Sequence, residues 1–193
     1  MTKEFFIFAD FDGPFAHITT WQNDTKIGQE MGDIRDLDLY ALNFLDRICR
    51  NLSDDIVVHF ISISSWKHQF NTEENIVKIK EWANIKKLDL DLYKETPVGR
   101  FTEREPWLRL RVIKELLEKH HAEDYLILDD EFLGEYEREH RGHCISADSR
   151  SGYDQEGWEK IRGRIESWGL KEEVEKFRKE RDEAYMKLLA ASI

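Results

Sequence analysis

Apolar positions along the chain follow two alternating patterns. Five short runs are nearly continuous: FFIFA (5–9), DIVVHFISI (55–63), LDLDLY (88–93), DYLILD (124–129) and HCISA (143–147). Four have the β-branched or aromatic content and few polar breaks of strands covered on both faces. LDLDLY alternates strictly and reads as an edge or half-exposed strand. Between these runs the apolar period lengthens to that of a helix. In DLDLYALNFLDRICRNLS, Leu42, Leu45, Ile48 with Cys49, and Leu52 fall on one face. NTEENIVKIKEWANI starts at a capping residue, Asn71 or Thr72, and aligns Ile76, Ile79 and Ala83. PWLRLRVIKELLEKHH places Leu108, Val112 and Leu116 at intervals of four, with Ile113 and Leu117 beside them. Strand and helix therefore alternate, which predicts an α/β fold: a parallel sheet with right-handed crossovers and helices on both faces.

Beyond Gly152 the pattern becomes charged and helical. Its apolar stripe runs through Trp158, Ile161 and Ile165, then Val174, Phe177 and Leu188. Gly169 is expected to divide this segment into two C-terminal helices packed on the sheet; a homodimer contact through those helices is the alternative. With no internal repeat, low-complexity tract or linker, the expectation is one domain over 1–193, with a core of about 1–155 and a helical extension over 156–193.

Composition narrows the class. At 193 residues, with 40% hydrophobic and 12% aromatic residues, the chain has material for one sizeable core. Its net charge of −11 repels polyanions at long range, so extended duplex binding is not expected. A local pocket for one phosphate is compatible with that charge, because close pairing is less screened. Cys49 and Cys144 are far apart and have no CxxC spacing, which excludes a disulfide framework and a thiolate metal site. The apolar run near Met1 is too short for a signal peptide or membrane span, so the expected location is cytoplasmic, without a membrane partner.

Candidate chemistry lies where the strand runs end, since ligands of open parallel sheets bind beyond the carboxyl ends of the strands. The first run ends in Asp10 and Asp12, followed by Gly13. The second ends in Ser62, Ser64, Ser65, Trp66 and Lys67, and the fourth in Asp129, Asp130 and Glu131. An isolated Asp-x-Asp-Gly is most often a turn. If these strands are neighbours, however, five acids converge on one rim and repel one another unless a cation joins them. Hard oxygen ligands favour Mg²⁺. Alternation also turns residues i and i+2 to the same side, so Asp10 and Asp12 could face one phosphate.

In this order the motifs resemble the haloacid dehalogenase (HAD) superfamily of hydrolases. IFADFDGPF is similar to its first motif, VVHFISISSW to its second and YLILDDE to its fourth. WLRLRVIKELLEKHH supplies Arg109, Arg111 and Lys114 for the basic third motif. ISISSWK, RLRVIKELLEKH, YLILDD and ISADSRSG more closely resemble the small, nearly capless members associated with Swiss-army-knife RNA repair proteins, over about residues 5 to 155. The resemblance implies a three-layer Rossmann-like fold and a Mg²⁺-dependent phosphatase. In it, Asp10 is the nucleophile that becomes an aspartyl-phosphate and Asp12 the general acid–base. Gly13 turns the backbone beside the phosphoryl oxygens, and Ser62 or Ser64 holds one of them. Arg109 fits the basic position best, and Asp10, Asp12, Asp129 and Asp130 coordinate Mg²⁺. The chain departs from the family pattern at Pro14, in the extra residue of ISISSW, and at Val112, where relatives tend to carry Glu.

The segments after Asp12 and between Lys67 and Leu108 are too short for a large cap. An open site suits a bulky substrate, such as a nucleic-acid end or a phosphoprotein, and also admits mononucleotides; a phosphorylated small molecule or a nucleic-acid end is the expected substrate. A non-catalytic binding module and a phosphotransferase are the alternative functions. Arg100 and Arg104, in ETPVGRFTEREP, lie in a polar loop that either contacts substrate or is simply solvated. His140 and His143, in HRGHC, fall at a strand start and are not expected to bind metal.

Overall fold

The computed structural model describes residues 3–11, 13–16, 37–64, 73–90, 106–130, 138, 140 and 142–191, with backbone alone at 106–108, 171–178 and 182–191. Five strands, β1 (Lys3–Ala9), β2 (Ile56–Ser62), β3 (Leu88–Asp89), β4 (Tyr125–Asp129) and β5 (Cys144–Ser146), form one sheet in the order β3-β2-β1-β4-β5. Every pairing is parallel. The strand with the densest apolar run is the central one: Phe5 to Ala9 are buried on both faces of β1. LDLDLY, the run that alternates, supplies β3 at one edge; its residues 91–93 lie outside the described residues.

Among the described residues the helices are α1 (Leu39–Cys49), α2 (Glu73–Trp82), α3 (Pro106–His120) and α4 (Gln155–Ala191). Strand alternation divides the core in two. Phe5, Ile7 and Ala9 pack with α1, α2 and the first half of α4, whereas Phe6 and Phe8 pack with Val112, Ile113 and Leu116 of α3. Val112 is thus a core residue of α3. Asp38 caps α1 by accepting from the Ala41 amide at 2.9 Å. The residues proposed to cap α2, Asn71 and Thr72, lie outside the described residues.

Asp46, fully buried within α1, fixes the entry to β3. Its Oδ1 accepts from the amides of Lys86, Lys87 and Leu88 at 3.1, 2.8 and 2.9 Å, and its Oδ2 accepts from Arg50 Nε at 2.6 Å. One carboxylate therefore joins two segments about forty residues apart and satisfies backbone groups that β3 is too short to pair.

The expected break at Gly169 does not occur: α4 is continuous from Gln155 to Ala191. Gly169 has no left-handed φ, and a Cβ there would lie 3.0 Å from Leu52 Cδ2. The glycine lets the helix approach α1's C-terminal turn, beside the stack of Trp168 on Phe5 at 4.8 Å. An internal glycine costs a helix only about 1 kcal/mol, so this packing prevails. The side chains of Val174, Phe177 and Leu188 lie outside the described residues. Among the described residues, no helix is long and apolar enough to cross a membrane.

Candidate active site

Strand order reverses between β1 and β4, where the chain returns past β1 to add β4 and β5 on its other side. Such a switch point opens a crevice at the carboxyl ends of the strands. Ala9 is in register with Leu128, and the Asp10 amide donates to the Leu128 carbonyl at 2.8 Å. Asp10 and Asp129 consequently leave adjacent strands at the same level. Alternation turns both toward the α3 face, the one shared by Phe8 and Ile127.

Asp10, Asp129 and Asp130 each offer an oxygen within 4.8 Å of the others, and the first two are 2% and 5% exposed. Arg109, in the first turns of α3, reaches between them. Its Nη1 lies 2.7 Å from Asp10 Oδ2 and 3.3 Å from Asp129 Oδ2. Among the described residues, three carboxylates and one guanidinium converge in this crevice. All the donors are hard oxygens, and this set fits a divalent cation of the Mg²⁺ type. Asp10, Asp129 and Asp130 are the residues that would hold it. The negative field is felt nearby: burial first, then Asp129 and Asp130, push the Tyr153 hydroxyl well above its ordinary pKa. Burial and Asp129 together push the Cys144 thiol up to about 11.

The turn after β1 is shaped around Asp130. Gly13 has φ +78°, and a Cβ on it would come within 2.5 Å of Asp130 Cγ and 2.8 Å of its Oδ2. The Gly13 amide donates to Ala16 O at 2.9 Å and the Phe15 amide to Phe11 O at 3.0 Å. These bonds do not call on the nitrogen of Pro14, so the proline's missing donor leaves no gap in the turn. The Phe11 amide also donates to Asp10 Oδ1 at 2.7 Å. Both oxygens of Asp10 are therefore held.

Of the basic residues on α3, Arg109 enters the crevice, whereas Arg111 pairs with Glu115 on the exposed side at 3.3 Å and Lys114 is exposed. Ser62 and Ser64 are both fully buried at the end of β2, and the Ser64 amide donates to Ser62 Oγ at 3.3 Å. Asp12, Ser65, Trp66, Lys67, Arg100, Arg104 and Glu131 lie outside the described residues. His140 and His143 are absent from the acidic cluster and bracket Tyr125 instead. His140 Nδ1 lies 2.7 Å from the Tyr125 hydroxyl, and the His143 ring stacks on Tyr125 at 3.9 Å.

Two features of the rim lie in the ISADSRSG run and at the Tyr153 that follows it, to which the sequence reading assigned no site role. Asp148 Oδ1 accepts from the Arg150 amide and from the amide and hydroxyl of Ser151, all at 2.9 Å. These bonds stiffen the loop that follows β5, beside Asp129. Tyr153 closes that loop by donating to Ile145 O at 3.0 Å. The signal available for both was the Asp-x₃-Gly-Tyr run immediately after a strand.

Comparison with protein-family models matches residues 6–157 to the HAD domain in Swiss Army Knife RNA repair proteins. No curated protein and no solved structure gives a significant match. The matched span takes in the second half of β1, all of β2 to β5, the acidic crevice and the Asp148 loop, and it covers well over half of the chain. The chain belongs to this HAD domain family of the Swiss Army Knife RNA repair proteins.

Proposed function

We propose that the protein is a Mg²⁺-dependent phosphohydrolase that cleaves a phosphomonoester, with a nucleotide or the end of a nucleic-acid strand as substrate. The observation that carries this reading is the cluster of Asp10, Asp129 and Asp130, bound by Arg109 at the sheet's switch point. The RNA-repair setting of the family supports a nucleic-acid end.

A carboxylate of Asp10 attacks the phosphorus and forms an aspartyl-phosphate as the ester oxygen leaves. Asp12 gives that oxygen a proton, then takes one from the water that hydrolyses the intermediate. The Phe11 amide and Arg109 fix the plane of the Asp10 carboxylate, so attack requires little reorientation. A guanidinium in this position is chemically suited to pair with phosphoryl oxygens as well. Gly13 lets the main chain pass close to the phosphate. Ser62 and Ser64, both buried at the end of β2 and two residues apart, are the two candidates to hold a phosphoryl oxygen. Asp10, Asp12, Asp129 and Asp130 would hold a Mg²⁺ ion, which would supply neutralising charge to the transferring group.

Purified protein should release phosphate from an aryl phosphate and from phosphorylated oligonucleotides in Mg²⁺, and lose this activity with EDTA. Asp10→Asn should abolish turnover while leaving the fold intact. Normal turnover by that variant would refute the mechanism.

A further inference from the structure

On the flank of α4, Lys160, Gly163, Arg164 and Ser167 recur at helical spacing and face the edge strand β5. With Gly142 and Cys144 they line an open groove of about 420 Å³, a size common for ligand clefts. It is a basic feature on a chain with a net charge of −11. Among the described residues Arg164 has no carboxylate partner, and its Nε is buried without any hydrogen-bond partner. Its Nη2 lies 3.0 Å from His143 Nδ1, but the same Nδ1 is 3.0 Å from the Tyr125 carbonyl oxygen. A ring nitrogen is either an N–H donor or a lone-pair acceptor. If it donates to the carbonyl, Arg164 loses its acceptor; if it accepts from Arg164, the carbonyl does. Either way the guanidinium has donors to spare.

The remaining lining suits an anion. Lys160 pairs with Glu156 in an exposed contact at 2.7 Å and feels Asp154 as well, and such exposed pairs contribute little and yield readily. A Cβ on Gly142 or Gly163 would meet nothing within 4 Å, so both backbones are open to approach. Ser146 is level with Asp129, and Cys144 lies two residues before it on a strand two places from β1. Strand spacing and rise put Cys144 roughly 12 Å from Asp10 along the sheet, and the groove on the α4 side lies around the β5 edge from the α3-facing Asp10. A group bound there is not the phosphate being hydrolysed.

We propose that this groove binds a phosphodiester of a single-stranded nucleic acid whose phosphorylated end occupies the acidic crevice. The assignment of the strand's end rests on the phosphohydrolase reading above. Arg164 is the anchor and Lys160 the recruited second cation. The net negative charge of the protein confines contact to this local track and disfavours a duplex.

The test is fluorescence anisotropy with a labelled oligoribonucleotide of about ten residues carrying hydroxyl ends, so that binding is read without turnover. Arg164→Gln should weaken binding about tenfold or more, as expected for loss of a charged hydrogen-bond donor. It should also flatten the salt dependence by somewhat less than one unit of log–log slope. Arg164→Lys should recover part of the affinity. Gly163→Glu, which puts negative charge at the groove mouth and disturbs no packed atom, should weaken binding comparably while raising helix propensity. Turnover of an aryl phosphate should be unchanged in all three. Wild-type affinity and salt slope in both Arg164→Gln and Gly163→Glu would overturn the proposal, as would an oligonucleotide that fails to bind the wild-type protein or to compete with inorganic phosphate. Arg164-dependent oligonucleotide binding by a protein that releases no phosphate would instead refute the phosphohydrolase reading and leave the groove standing.

Discussion

Gly13→Ala should damage the site more than the fold, and the structure sets both scales. At φ +78° an alanine pays the left-handed penalty of an L-residue, about 1–2 kcal/mol. Its methyl would also fall within 2.5 Å of Asp130 Cγ, where ordinary carbon contacts begin near 3.5 Å. Asp130 or the turn must therefore retreat by about 1 Å, and overpacking of that kind costs about 1–3 kcal/mol. Together these destabilise the protein by about 2–5 kcal/mol. For a chain of this length that lowers Tm by roughly 5–15 °C. The displacement falls on a residue of the carboxylate cluster, and a 1 Å misplacement in a reaction centre costs about a hundredfold in rate. Thermal unfolding with and without Mg²⁺, alongside phosphate release, measures each part. The expected result is a moderate loss of Tm, a smaller Mg²⁺-induced rise and activity reduced by about two orders of magnitude. A Gly13→Ala protein with wild-type Tm and an unchanged response to Mg²⁺ would show that the turn does not pack on Asp130 as described.

Three further outcomes follow from buried charge. Asp46→Ala strips the acceptor from the Lys86, Lys87 and Leu88 amides and should cost about 3 kcal/mol in urea unfolding, without altering the acidic crevice. Arg109→Gln takes the guanidinium away from between Asp10 and Asp129. It should lose about 3–5 kcal/mol in EDTA, with Mg²⁺ restoring part of the loss, as read by Tm in the two conditions. Cys144, raised to about 11 by burial and Asp129, should be alkylated at pH 8 roughly a hundredfold more slowly in the native than in the unfolded protein, as followed by mass spectrometry. Because its folded pKa is raised, the stability linked to this thiol is intact below pH 9 and is lost as pH climbs toward 11.

The framework of the fold was legible because it is periodic. FFIFA reads as a two-sided strand since both faces of β1 are apolar, and LDLDLY reads as an edge since only alternate residues are. The acids were legible for a related reason: charges that end an apolar run must sit at a sheet's rim. Arg109 could be singled out from Arg111 and Lys114 by the family pattern alone; spacing did not separate them. Gly169 misled because glycine has both a local effect on helices and a non-local use in packing, and local pattern registers only the first. Asp46 gave no signal, since a carboxylate among helical residues looks solvated until its partners, forty residues away, come into view.

Sequence by itself determined the alternation of strands and helices, the parallel sheet, and which carboxylates lie at strand ends. Local chemistry suffices for these, because periodicity and turn residues act over a few positions. Tertiary structure decided the strand order 3-2-1-4-5, and with it that Asp10 and Asp129 are neighbours at a switch point. It also decided that Arg109 joins them, that Gly13 must be bare to admit Asp130, and that α4 runs unbroken past Leu52 with Arg164 over the β5 edge. Each of these is a contact between residues far apart in the chain, set by how the layers pack.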